Sequence, residues 1–192
     1  MADHVNDVNV TAMKEFDKRL RDNPALAKRT IKVRASWLRG TKTLVEIGEH
    51  QTNGARVTPT TRKFMMTGDA PPGLGGVDAG PAAAEMLLAS LASCLTSGIA
   101  ANAALFDVPI DGLDIEVDGD IDFRGLFGHD KTVRSGCSDI RYKVTIHSSA
   151  PEDKVRRCKE TIDRKSAVLD MLTTPLKVSS EFVFKPTGSG SA

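Results

Sequence analysis

Apolar side chains recur at helical spacing from Val10 through Met13 and Phe16 to Leu20, with Lys14, Glu15, Lys18 and Arg19 between them. The spacing predicts a short amphipathic helix that stops before Pro24. The polar residues 1–9 before it read as a loose tail. From Ile31 the period changes to two. Ile31, Val33, Ala35 and Trp37 share one face and Lys32, Arg34 and Ser36 the other, which predicts a half-buried strand. Arg39-Gly40-Thr41 turns it into a second strand through Leu44, Val45 and Ile47, and a third is expected over 62–66.

DAPPGLGGVDAGP, at 69–81, is rich in Gly and Pro and reads as a loop. Pro81 suits the first turn of a helix, where its missing N–H costs little. AAAEMLLASLASCLTSGIAANAALF follows, with Glu85 as its single charge. Its length fits a membrane span. Yet Glu85, Ser90, Ser93, Thr96, Ser97 and Asn102 interrupt it, and basic or aromatic flanks are missing. A helix apolar nearly all round is then a buried core helix, expected over 82–105.

The clearest strand comes next. Leu113, Ile115, Val117, Gly119, Ile121 and Phe123 alternate with Asp114, Glu116, Asp118, Asp120 and Asp122. A straight row of carboxylates does not converge on a cation as a curved loop does, so it reads as a solvated sheet face. GLFGHDKTVRSG turns the chain into a second alternating strand, Ile140, Tyr142, Val144 and Ile146, completing a long hairpin. Pro151-Glu152-Asp153 opens a helix with Val155, Cys158 and Ile162 on one face. The helical pattern restarts at Ser166 and runs to Leu172. Leu176, Val178 and Phe182 to Phe184 suggest a last strand before a flexible tail, PTGSGSA.

Strands, one apolar helix, a hairpin, a helix and a final strand make an α+β order. One small sheet cannot cover so apolar a helix, so a homodimer that buries it between subunits is expected. The chain has 192 residues, 40% of them hydrophobic, enough for one domain with a core. Its net charge is +1 with both signs interleaved, which gives no reason to expect a nucleic acid or an anionic membrane as partner.

The three cysteines, Cys94, Cys137 and Cys158, form no CxxC and no secreted disulfide framework. His4, His50, His129 and His147 are scattered, so neither a metal nor a cofactor is expected. The N-terminus lacks a signal pattern, and a cytoplasmic location is expected. Cys158 falls on an apolar helix face, as a buried cysteine does. Cys137 has no arrangement around it that suits chemistry. Cys94 sits among Ala92, Ser93, Thr96 and Ser97, small enough to let a substrate or another chain approach. Packing and reactivity are equally good readings of it. A reactive thiol needs a cation or donors nearby, and no cation lies within a helical turn, so one must arrive from elsewhere in the fold or from a second subunit.

GGVDAGPAAAEMLLASLASCLTSGIAANA resembles the signature of the OsmC/Ohr-like family, a Gly/Pro loop leading into a helix of the form P-x-E-L-L-L-A-A-L-x-x-C. The similarity continues through VPIDGLDIEVDGDIDFRGLFG, SGCSDIRYKVTI and KSAVLDMLTTPLKV. It divides the chain into a tail and amphipathic helix at 1–30, an OsmC-like domain at 31–185 and a flexible tail at 186–192. The resemblance implies antiparallel sheets packed around a long buried central helix, in an intertwined homodimer. It also implies a thiol peroxidase acting on organic hydroperoxides. In the family one cysteine attacks the peroxide and a second resolves the sulfenic acid as a disulfide, while an arginine and a glutamate activate the first.

Carried over by position, Cys94 matches the attacking cysteine. The resolving position reads Ser166-Ala167-Val168, and Ser166 cannot form a disulfide. Cys158 lies eight residues earlier, about two helical turns away, and is a poor substitute. The family glutamate aligns with Ala84, and Glu85 stands nine residues before Cys94. That is roughly 900° of helix rotation, so the two side chains point to opposite sides. Arg39 is the nearest match for the arginine, with Arg34 and Arg56 as competitors. Two functions follow. One is a one-cysteine peroxidase that reduces an apolar hydroperoxide and is restored by an external thiol. The other is a non-enzymatic module that binds an apolar ligand or a protein partner. A hydrolase using Cys94 with His129 or His147 lacks an oxyanion or triad signature.

Overall fold

The computed structural model describes residues 4–186. It opens on a hairpin, β1 (His4–Val5) and β2 (Val8–Asn9), where a loose tail was expected. Asn6 and Asp7 turn it with φ of 52° and 58°, the left-handed pair a two-residue hairpin needs. The Asn6 amide reaches across the fold. Its Nδ2 donates to the Val108 carbonyl at 2.9 Å, and its Oδ1 accepts from the Ile110 N–H at 2.9 Å. Helix α1 (Val10–Asp22) follows as the periodicity predicts, with Asn9 accepting from Ala12 N–H as its N-cap.

β3 (Thr30–Arg39) and β4 (Lys42–Thr52) pair antiparallel across the Gly40-Thr41 turn. β4 is central. Its end pairs with β5 (Ala55–Arg56), and its other edge pairs with β6 (Phe64–Gly68). The alternation in β3 is right, but its apolar row is not half-buried within one chain: Ile31 and Val33 are about three-fifths exposed and Trp37 is 74% exposed.

The loop at 69–81 folds onto the Gly40-Thr41 turn around one carboxylate. Asp69 is buried and accepts from Thr41 Oγ1 at 2.6 Å and from the N–H groups of Ala70, Val77 and Ala79. The Thr41 hydroxyl first, then the Ala79 N–H, hold its pKa down at about 2, below the ordinary 3.8. Gly76 is obligatory here, because a Cβ on it would lie 1.7 Å from the Ala70 carbonyl oxygen. A depressed folded pKa means that the carboxylate's contribution is complete above 3.8 and is lost as pH falls through about 2. Acidification across that window should therefore open this loop. The expected result is faster hydrogen exchange at Val77 and Ala79 with falling pH, after correction for intrinsic rates, and no such acid step in Asp69→Asn.

Helix α2 (Ala83–Leu105) begins where Glu85 accepts from the Ala82 N–H at 2.7 Å. It has the length and hydropathy of a membrane span. However, Leu91, Leu95 and Ile99, at i, i+4 and i+8, are fully buried by its own chain, as in a core helix. The burial is a stripe and does not go all round, since Leu87 is 44% exposed. β7 (Gly112–Ile121) and β8 (Cys137–His147) form the long hairpin against α2. Phe123 leaves the strand and starts the one-turn α3 (Phe123–Leu126), because Asp122 caps it by accepting from Arg124 N–H. The acidic face of β7 is answered across the hairpin by Arg141, which pairs with Asp120, and by Lys143 with Glu116. It is a solvated, charge-paired sheet face.

α4 (Glu152–Lys165) and α5 (Ala167–Thr173) close the domain over α2. A Cβ on Gly98 would sit 3.0 Å from Ile162, so the bare glycine lets α4 lie close on α2. The expected last strand does not form. Residues 174–186 take no regular structure, and Val178 and Phe182 are more than four-fifths exposed. A strand needs an edge to pair with, and among the described residues no strand pairs with this segment. The sequence PTGSGSA lies outside the described residues beyond Pro186.

Candidate active site

The site follows from two helices meeting. Cys94 lies midway along α2, half-buried and unpaired, one position before the buried Leu95. Ser166 fills the break between α4 and α5, with φ −66° and ψ 119°, and is 5% exposed. Its Oγ lies 3.2 Å from Cys94 Sγ. The same Oγ caps α5 by accepting from the Leu169 N–H at 3.2 Å. A hydroxyl has one proton to donate and two lone pairs to accept. While the thiol is protonated, either partner can donate. Once the sulfur is a thiolate it can only accept, so the Ser166 O–H must point at it. The cap therefore fixes a donor beside the sulfur in its nucleophilic form.

The break that carries Ser166 is itself anchored. Tyr142 on β8 donates to Asp163 Oδ1 at 2.8 Å, and Lys159 donates to Asp163 Oδ2 at 2.7 Å. Burial first, and then the Asp163 carboxylate, push the Tyr142 phenol up to about 12, so it stays a donor. This cluster ties the last turn of α4 to the hairpin, three residues before Ser166. Sequence reasoning missed it. The i, i+4 spacing of Lys159 and Asp163 was its one visible trace.

The remaining residues lie elsewhere. Glu85 spends its carboxylate on the helix start, about 13 Å along the axis from Cys94. Arg39 lines a shallow cleft with Thr41, Asp69 and Gly76 at the β3–β4 turn. Neither is hydrogen-bonded to Cys94 within one chain; among the described residues, Ser166 is the thiol's side-chain partner. Arg34 and Arg56 line a different groove on the sheet, and Arg56 is held by Glu49 and the carbonyls of Thr58 and Pro59. Cys158 is buried against Ala103 and Val108, and burial pushes its thiol up while Arg157 partly opposes that. Cys137 Sγ lies under Gly119 near Leu88, at the other end of α2. His129 stacks on Phe127, and His147 ends β8 opposite Gly112.

A helix carrying the cysteine behind a Gly/Pro loop, the long hairpin and two closing helices occupy residues that match one family model, described as OsmC-like protein, over 75–181. The chain belongs to the OsmC-like family. Its fold agrees. An OsmC-like protein from Mycoplasma pneumoniae superposes with a TM-score of 0.57 at 17% identity, covering 76% of this chain and 88% of that one. A candidate osmotic-stress-induced and detoxification-response protein from Psychrobacter arcticus gives 0.53 at 16%, covering 72% and 85%. No curated protein sequence matches. The OsmC-like domain thus keeps its cysteine helix, with a serine in contact where the family resemblance places a second cysteine.

Proposed function

We propose that this OsmC-like protein is a one-cysteine, thiol-dependent peroxidase for apolar organic hydroperoxides. The supporting observation is the Cys94–Ser166 contact, a half-buried sulfur with a donor held on it by a helix cap. In the first step Cys94 attacks the terminal peroxide oxygen. The O–O bond breaks, an alcohol leaves with a proton, and Cys94 becomes a sulfenic acid. Two external thiols then return it to the thiol, giving their disulfide and water. The largely apolar helix that carries Cys94, with Leu91, Leu95 and Ile99 buried along it, suits an alkyl or aryl hydroperoxide, and a reducing cytoplasm suits the thiol requirement.

The protein works as a homodimer in this reading. Apolar β3 residues, Leu87 and the segment at 174–186 all lack cover in one chain. Arg39 and Glu85 become activating groups only if the partner subunit presents them, since within one chain Glu85 caps the start of α2 and Arg39 lines the cleft at the β3–β4 turn, neither of them hydrogen-bonded to Cys94. That placement also favours the second reading, a binding module in which Cys94 only packs. Peroxide turnover separates the two. With cumene hydroperoxide and a dithiol, Cys94→Ser should lower turnover at least about a hundredfold while Cys137→Ser leaves it unchanged. Wild-type protein without turnover, or a Cys94→Ser variant as fast as wild type, would establish the binding module instead.

A further inference from the structure

We infer that a cavity at the far end of α2 binds a small monocarboxylate with an apolar body. The cavity has a volume of about 200 Å³ and lies between the α2–β7 connection and α4. Phe106, at its mouth, is about 18 Å along the helix axis from Cys94. The site is therefore separate from the thiol and independent of the peroxidase reading.

Four of its residues, Lys154, Arg157, Cys158 and Thr161, sit at i, i+3, i+4 and i+7 on one face of α4. Val108 and Cys158 make a floor that water barely reaches, each 2% exposed. The Phe106 ring forms an open wall, 65% exposed. A large aromatic left out in this way beside an apolar floor offers area for a ligand to cover.

The rim is cationic, and its charge is uncompensated. α4 neutralises Arg156 with Glu152 and Lys159 with Asp163. Arg164 and Lys165 occupy its last turn, where the helix dipole favours positive charge. Lys154 and Arg157 have no ion-pair partner among the described residues. Lys154 also stands in the first turn, the end where the dipole disfavours a cation. Glu152 is engaged by Arg156 there. Asp153 and Glu160 are the remaining carboxylates near the two cations on α4, and Asp107 adjoins Phe106 on the facing connection; none of the three makes an ion pair with Lys154 or Arg157 among the described residues. The Thr161 hydroxyl is spent on the Arg157 carbonyl at 2.7 Å. The free donors at the cavity are thus one ammonium and one guanidinium, the pair that holds a carboxylate through charge-assisted hydrogen bonds.

Size sets the class of ligand. At ~30 Å³ per water the cavity has room for about six or seven waters, well short of the ~300 Å³ at which drug-sized pockets begin. A carboxylate on an alkyl or aromatic body of about six carbons fits that room with its charge at the rim.

Hexanoate tests the assignment, with acetate lacking the apolar body and hexanol lacking the charge. Each is titrated into the full chain and followed through the backbone amide shifts of Val108 and Thr161. Hexanoate should saturate both signals, with acetate and hexanol at least about tenfold weaker. Lys154→Glu/Arg157→Glu should weaken hexanoate about tenfold or more with an unchanged thermal melt. Cys94→Ser should bind hexanoate as wild type does, whatever its effect on peroxide turnover. Hexanol binding as tightly as hexanoate, full affinity in the double variant, or no saturable shift with hexanoate would each overturn it.

Discussion

Ser166→Cys is expected to give the OsmC-like protein an internal disulfide on its first encounter with a hydroperoxide. The serine oxygen lies 3.2 Å from Cys94 Sγ. A disulfide spans about 2.05 Å, so a sulfur in the serine's place needs to close by about 1 Å. The longer carbon–sulfur bond and a small χ1 rotation supply that. Once Cys94 is a sulfenic acid, the neighbouring thiol attacks it within the same chain. Well-oriented intramolecular partners act at effective concentrations on the order of molar or more, against millimolar external thiol. The sulfenic acid of the wild type should therefore persist for dimedone to trap, raising the mass by one oxygen before trapping. The variant should instead lose two hydrogens and both thiols, and escape dimedone almost entirely. Mass spectrometry with Cys137 and Cys158 replaced by serine reads the result without ambiguity. A variant that still accumulates trappable sulfenic acid would show that the two side chains do not meet in the working protein.

That contact shows where sequence pattern stops being informative. The helix around Cys94 and the β7–β8 hairpin were legible because their periods, nearly apolar and strictly alternating, each admit one element. Rotation along α2 also showed that Glu85 faces away from Cys94, and the structure finds its carboxylate capping the helix. No period in the chain shows the 3.2 Å approach of residues 72 apart; only the family resemblance pointed to it, by putting Ser166 at the resolving position. It depends on Gly98 letting α4 sit close on α2 and on Tyr142 fixing the end of α4. The Asn6 clamp was invisible for a similar reason, since a polar tail carries no period. The last strand failed differently. Val178, Phe182 and Phe184 have the residue types of a strand, but composition names a face and not the edge that will pair with it.

The same gap between pattern and partner makes α2 the place where stability should divide. Leu95 is 1% exposed and packed by its own chain. Leu95→Ala removes buried methyl groups and leaves a cavity, and should cost about 3 to 4 kcal/mol. For a chain of this length that lowers Tm by roughly 6–16 °C. The loss is intrinsic to the protomer and should not depend on protein concentration. Leu87 lies two turns earlier on the same apolar helix, 44% exposed within one chain. If solvent covered it, Leu87→Ala would change stability by no more than about 0.5 kcal/mol. In the proposed dimer it is covered by the partner, so its loss weakens association. Leu87→Ala should then lower Tm more at low protein concentration than at high, because assembly contributes to stability by mass action. Melting both variants across a hundredfold dilution separates the two kinds of burial. A concentration-independent, near-zero effect at Leu87 would mean that this end of the helix faces water, and that the groups activating Cys94 must come from the same chain.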